Sequence, residues 1–227
     1  MSETQVVSPG GKYQVATYRQ SYFKLNNNGA PELKTGRVIH SEDTYHFERM
    51  IHPSKTVIVI MDPWVDMAST HLNELFGQIV EFRIIPLVEK ALERGHSIIV
   101  LSNDPHTVGY NTNIHPKLAA LASTGIINIL YHQNFDDEQF STYLHRQGID
   151  TLIYTGFASN MCLIGRKTGM IFMSHQKFRL FFVPQASAAV EYPDTWDDQS
   201  IHQATTNIIS QWIAEIIDYN VFMNATD

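Results

Sequence analysis

Only one cysteine, Cys162, occurs in the 227 residues. That excludes an intrachain disulfide and fits a reducing compartment, with the cytoplasm as the default expectation. Long apolar runs are missing as well: none approaches the roughly 20 residues that a membrane-spanning helix needs. Residues 1–11 have neither the basic segment nor the apolar core of a secretory signal. Positive charge is scarce and scattered. With 16 Lys and Arg against 23 Asp and Glu, a net charge of −7 and no basic cluster, neither nucleic acid nor an anionic membrane is an expected partner. Internal repeats and low-complexity tracts are absent. What remains is 44% hydrophobic and 17% charged, the composition of a folded protein long enough to bury a full core. A small molecule is the expected partner.

Residues 1–50 read differently from the rest. Segments 13–25 and 33–39 look strand-like around the turn-rich Asn26-Asn27-Asn28-Gly29-Ala30-Pro31. They suggest a hairpin-like arm, packed on the remaining domain (51–227) or on a neighbouring subunit. From there strand and helix patterns alternate. Residues 56–61 are a continuous β-branched run that ends at Asp62-Pro63, since Pro63 has no N–H for a sheet. Helical spacing runs from Leu72 to Leu92 with a kink or break expected before Pro86, and Gly95 closes it. Strands are expected at 97–101, 126–130, 152–154 (ended by Gly156) and 178–183, the last ending at Pro184. Helices are expected at 116–122 and 136–147. The apolar face Ile201, Thr205, Ile208, Ile209, Trp212, Ile213, Ile216 and Ile217 predicts one long final helix. Such alternation means parallel βαβ units in a three-layer α/β/α sandwich.

The cysteine sits in the stretch that organises this reading. Leu152, Ile153 and Tyr154 form a buried strand, Gly156 ends it, and Ser159 or Asn160 caps a helix starting near Met161. Cys162 thus falls on a first helical turn, just past the carboxyl end of a strand, where ligands bind in open α/β sheets. Free N–H groups and the helix dipole there favour thiolate, which predicts a lowered thiol pKa. Asp62 ends its own strand at the same sheet edge.

Taken together, Val57-Ile58-Val59-Ile60-Met61-Asp62 and the later Gly156-Phe157-Ala158-Ser159-Asn160-Met161-Cys162 resemble the isochorismatase-like cysteine hydrolases, which include nicotinamidases and N-carbamoylsarcosine amidases. The likeness spans about residues 56–217. It implies Cys162 as nucleophile, Asp62 as its base, a non-proline cis peptide at Ala158–Ser159, and an oxyanion hole from the N–H groups of Ala158 and Cys162. A thiol attacks a carbonyl as thiolate, and the resulting thioester needs a base to activate water. The family also has a lysine just after the third strand. Here residues 126–135 contain none, and Tyr131 or His132 falls at that place. Either His132 completes a variant triad, charged when a carboxylate raises its pKa, or hydrolysis is reduced or lost.

Other candidates follow from chemistry and position. Asp104-Pro105-His106 resembles the Asp-x-His with which nicotinamidases hold a divalent metal, and His115 is a third donor for zinc; the alternative is a capping Asp among loop histidines. Trp64, Tyr131, Ser159 and Arg166 are candidate substrate contacts. Trp64 would be an aromatic wall or a core residue. Arg166, at i+4 from Cys162, would meet an anionic substrate group or a surface partner. His202 reads as an ordinary helix-end residue. The expectation is a homo-oligomeric (dimeric or tetrameric) hydrolase that cuts a C–N bond of a small amide, ureido or carbamoyl compound through a Cys162 thioester. A silent homologue that binds a small molecule or a protein is the alternative.

Overall fold

A computed structural model describes residues 11–136 and 138–226. Its elements in chain order are strands β1 (Tyr13–Phe23), β2 (Leu33–Lys34), β3 (Arg37–Val38), β4 (His40–Ile51) and β5 (Thr56–Met61), then helix α1 (Thr70–Ile79), a π-helical segment (Val80–Ile84) and α2 (Ile85–Glu93). Next come β6 (Ser97–Ser102), α3 (Pro116–Ser123), β7 (Asn128–Tyr131), α4 (Gln139–Arg146), β8 (Thr151–Gly156), α5 (Cys162–Gly165), α6 (Met170–Ser174) and β9 (Arg179–Ser187). The chain closes with α7 (Ser200–Ile208), a second π-helical segment (Ile209–Ile213), β10 (Glu215–Ile216) and α8 (Tyr219–Asn224).

Eight strands form one sheet in the order β4-β1-β10-β9-β8-β5-β6-β7. From β10 to β7 every neighbouring pair is parallel, whereas β1 pairs antiparallel with both β10 and β4. The period-2 alternation of strand side chains accounts for the layers. Ile58, Ile60, Ile98, Val100, Ile153 and Phe181 point into one core with Phe76, Val88, Leu118 and Phe222. Val57, Val59, Met61, Ile99, Leu101, Leu152, Tyr154 and Phe182 point into the other, with Leu144, Leu163, Met170 and Ile213. Both faces are covered by helices, so the central strands read as unbroken apolar runs. The sheet grows from β5 in opposite directions, through β6 and β7 on one side and β8 and β9 on the other, which makes the carboxyl ends of β5 and β8 a topological switch point.

The helical pattern is interrupted before Pro86 as expected: the π-helical segment separates α1 from α2, and Pro86 falls in the first turn of α2. Elsewhere the elements depart from expectation at three places. β9 continues past Pro184 to Ser187, because its register slips there; the two steps from Tyr154 to Gly156 are matched by five from Phe182 to Ser187, which leaves Pro184 without a ladder bond to make. The final helix stops at Ile213, and Ile216 belongs to β10 between β1 and β9. The buried face of this helix is His202, Thr205, Ile209 and Ile213, and Ile208 and Trp212 are about half exposed. The twelve-residue β4 was not foreseen, since its charged and largely exposed side chains carry no apolar alternation. It is held by register with β1 and by Arg49, whose guanidinium grips Glu215 at 2.8 Å.

Candidate active site

Asp62 follows β5 directly. Its N–H still bonds the Leu101 carbonyl of β6 at 2.8 Å, but its backbone turns left-handed, φ +44°, and leaves the carboxylate 1% exposed at the sheet edge. The neighbouring end of β8 is pressed onto the same place. Gly156, φ +105°, lies where a Cβ would stand 2.2 Å from the Met61 carbonyl oxygen, and the Phe157 N–H donates to that oxygen at 2.7 Å. This contact draws the Asp62 and Cys162 segments together.

Three side chains converge on the carboxylate. His132 Nε2 lies 3.1 Å from Asp62 Oδ1, and Arg166 Nη2 lies 3.4 Å from Oδ2. The half-buried Cys162 thiol lies near enough for the charges of both Asp62 and Arg166 to act on it. His132 Nδ1 lies 2.9 Å from Thr168 Oγ1. An ionised carboxylate only accepts, so His132 donates from Nε2 and accepts the Thr168 hydroxyl proton at Nδ1. Both ring nitrogens are thereby used, and neither faces the thiol.

The electrostatics differ from expectation twice. Burial pushes the Cys162 thiol up to about 11, the Asp62 carboxylate adds to the rise, and Arg166 opposes it. The helix it begins is a single turn, with no side-chain cap at Met161, too short to build the dipole that would favour thiolate. Burial also lowers the His132 pKa; the hydrogen bond and charge of Asp62 work against that, and Arg166 reinforces it. His132 is therefore neutral near pH 7 and brings no positive charge to the cluster. Arg166 does carry charge: burial disfavours it, but Asp62 and Cys162 raise its pKa on balance.

The loop before Cys162 is fastened from behind. The non-proline cis peptide is Phe157–Ala158, one residue earlier than expected; Ser159 is held by partners behind the loop. Its N–H donates to Ala188 O at 2.8 Å, and its hydroxyl donates to Nδ1 of buried His202, also at 2.8 Å. His202 Nε2 donates to Pro184 O at 3.1 Å, and the Glu191 carboxylate accepts the His202 N–H at 2.8 Å. Asn160 Oδ1 accepts the Val190 N–H at 3.0 Å. Neither Ser159 nor Asn160 is thus a helix cap, and Ser159, fully buried, is not a substrate contact. The N–H groups of Ala158 and Cys162 are not used in the loop's backbone hydrogen bonds.

Trp64 is half-buried; its Nε1 donates to Ser102 Oγ at 2.8 Å, and Tyr110 meets its ring edge-on at 5.8 Å. Tyr110, exposed and close enough to Arg166 to affect its charge, escaped the sequence reading because it lies in an irregular loop without periodicity. Tyr131 ends β7 opposite Ser102, and of the two residues at the lysine's place it is His132 that reaches Asp62. A cavity of about 370 Å³ adjoins the cluster, lined by His132, Gln133, Phe135 and residues 165–168.

The zinc set does not assemble. Asp104 accepts the His106 N–H in a local turn at 2.9 Å, His106 is exposed, and His115 stands 3.9 Å from Glu81. Among the described residues no group of three or more His, Cys, Asp or Glu is placed to hold a metal. No helix of the described residues is long and apolar enough to cross a membrane.

Neither models of protein families nor curated proteins match the sequence. Solved structures do match its shape. They include a cysteine hydrolase from Pseudomonas syringae pv. phaseolicola 1448A (TM-score 0.55, 19% identity, 73% of this chain and 89% of that one). They also include a nicotinamidase from Bacillus subtilis (TM-score 0.55, 16% identity, 71% and 98%). A third is an octameric hydrolase of unknown specificity from Escherichia coli (TM-score 0.55, 14% identity, 75% and 78%). The chain therefore has the α/β fold of the isochorismatase-like hydrolases.

Proposed function

We propose that the protein is a cysteine hydrolase that cuts the C–N bond of a small amide, ureido or carbamoyl compound. The observation that carries this reading is that the tips of β5 and β8 bring a buried carboxylate and the only thiol of the chain to one sheet edge, beside two backbone N–H groups without a backbone partner. In the proposed cycle Asp62 takes the thiol proton as Sγ attacks the carbonyl carbon. The Ala158 and Cys162 N–H groups hold the oxyanion. Asp62 returns the proton to the leaving nitrogen, the C–N bond breaks, and ammonia or an amine departs. Asp62 then deprotonates a water that attacks the thioester, and the acid leaves as the thiol regains its proton. His132 orients Asp62 and does not touch the reacting atoms.

The raised thiol pKa favours the second reading, a silent homologue that binds a small molecule or a protein. General-base attack answers it, since the proton moves only as the S–C bond forms. Ammonia release across a panel of small amides, ureides and carbamoyl compounds decides between them. Turnover that disappears in Cys162→Ala is expected; turnover by neither protein would favour the silent reading, and equal turnover by both would remove the cysteine-hydrolase claim. We also propose a homo-oligomer, since the Escherichia coli neighbour is described as octameric. Light scattering on the purified chain would measure the state, and a monomer at working concentration would reject it. A single half-buried thiol that must stay reduced agrees with a cytoplasmic setting.

A further inference from the structure

We propose that Arg166 is the cation of this reaction, holding the thiolate of Cys162 and the carboxylate of Asp62 against one guanidinium. This rests on the hydrolase reading and names a role that reading leaves open.

The geometry begins with the end of α5. After one turn the chain turns extended at Arg166, φ −73° and ψ 161°, while the Arg166 N–H keeps its bond to the Cys162 carbonyl at 3.3 Å. The Gly169 N–H then donates to Arg166 O at 2.8 Å. Gly169 admits no side chain there: a Cβ would lie 2.8 Å from Leu163 O and 3.0 Å from both N and O of Arg166. This tight turn delivers two groups at once, the Arg166 guanidinium to Asp62 and the Thr168 hydroxyl to His132. A longer helix would have carried Arg166 away along its axis.

Among the described residues, four groups bear on the charge of this cluster. Asp62 lies at the end of β5, His132 follows β7, Tyr110 approaches from the loop after β6, and Arg166 follows α5. His132 is neutral near pH 7, and Lys117 stands on α3 against Glu81 at 2.5 Å. Arg166 is the cation that reaches Asp62, at 3.4 Å, and whose charge acts on the thiol. When the proton passes from sulfur to Asp62, the carboxylate's charge passes to the sulfur and, as the S–C bond forms, on to the carbonyl oxygen beside it. The cation keeps an anion beside it throughout, so the transfer does not leave a buried charge unpaired. The Nε–H of Arg166 is buried and has no acceptor in the structure, a donor in reserve for an oxygen that the reaction brings.

The test reads both the resting thiol and turnover. Alkylation of Cys162 by iodoacetamide is followed against pH in wild type, Arg166→Gln and Arg166→Lys, with thermal unfolding in parallel. Arg166→Gln is expected to move the thiol titration upward and to lower kcat about 100-fold at near-constant KM. Arg166→Lys should recover part of both. Guanidinium chloride at tens of millimolar should raise the activity of Arg166→Ala about tenfold without effect on Cys162→Ala. An unmoved titration in folded Arg166→Gln would overturn the inference, as would a rise in KM with kcat unchanged, which would give Arg166 to an anionic part of the substrate. Because alkylation needs no substrate, this arm stands apart from the hydrolase reading: a wild type inert on every amide sinks that reading and leaves the titration to judge Arg166.

Discussion

Gly156 and Met61 approach so closely that no side chain fits between them. A methyl at Gly156 would come within 2.2 Å of the Met61 carbonyl oxygen, at a φ of +105° that only glycine adopts freely. The tips of β5 and β8 bear Asp62 and the cysteine loop, so this contact sets the distance between acid and thiol. Gly156→Ala should destabilise the fold by about 2–4 kcal/mol and lower kcat well beyond what the unfolded fraction explains. Denaturant melts with activity measured on the folded fraction check it; wild-type kcat in the folded fraction would contradict it.

The His132 bond to Asp62 is a positioning contact. His132→Phe removes a donor from a carboxylate that is 1% exposed, and should cost about 1–3 kcal/mol of stability. His132→Asn, which keeps an N–H donor, should retain more of both stability and kcat. Equal losses in the two variants, read from chemical melts and steady-state kinetics, would remove the positioning role.

Behind the oxyanion loop, Ser159 and His202 make a buried pair at 2.8 Å. Ser159→Ala leaves His202 Nδ1 without its donor and should cost about 1–3 kcal/mol. It should also lower kcat at constant KM, because the loop carries donors that matter only when the oxyanion forms. Steady-state kinetics on an amide turned over by wild type would show this, whereas a pure KM effect would place the loop in ground-state binding.

Stability should fall on mild acidification. His96, 4% exposed and bonded to the Tyr13 hydroxyl at 2.8 Å, has its pKa lowered by burial to about 4. Between about pH 6.5 and 4 the unfolded chain binds a proton at this residue that the folded one refuses, so stability rises with pH there. The full difference is on the order of 3 kcal/mol, present above pH 6.5 and lost towards pH 4. His202 and His132 are lowered in the same direction, again first by burial. Urea titrations at pH 7 and 5 should show a lower midpoint at pH 5, and His96→Gln should flatten the difference.

The parts of this architecture visible in the sequence are those with local causes. The β-branched run before Asp62, the strand–Gly156–cysteine motif and the α/β alternation each follow from a few adjacent residues. Longer-range effects escaped. The Arg166 charge looked like a surface or substrate contact because its return to Asp62 depends on a tight turn at Gly169, whose crowding comes from the fold. The expected low thiol pKa assumed a proper helix, and α5 is one turn in a buried, anionic setting. His202 looked like an ordinary helix-end residue because its partners, Ser159 and Pro184, are 43 and 18 positions away. The spacing Asp104-Pro105-His106 suggested metal, yet Asp104 spends its oxygen on the next turn.

The central claim, that Asp62 is the base for Cys162, is tested most directly by Asp62→Asn, with the alkylation titration and ammonia release measured on one preparation. Loss of the carboxylate removes an anion that holds the thiol pKa up, so the titration should move downward while ammonia release falls by at least about 100-fold. A more easily ionised but idle thiol is the predicted result. Ammonia release near the wild-type rate, or a titration that does not move, would contradict it.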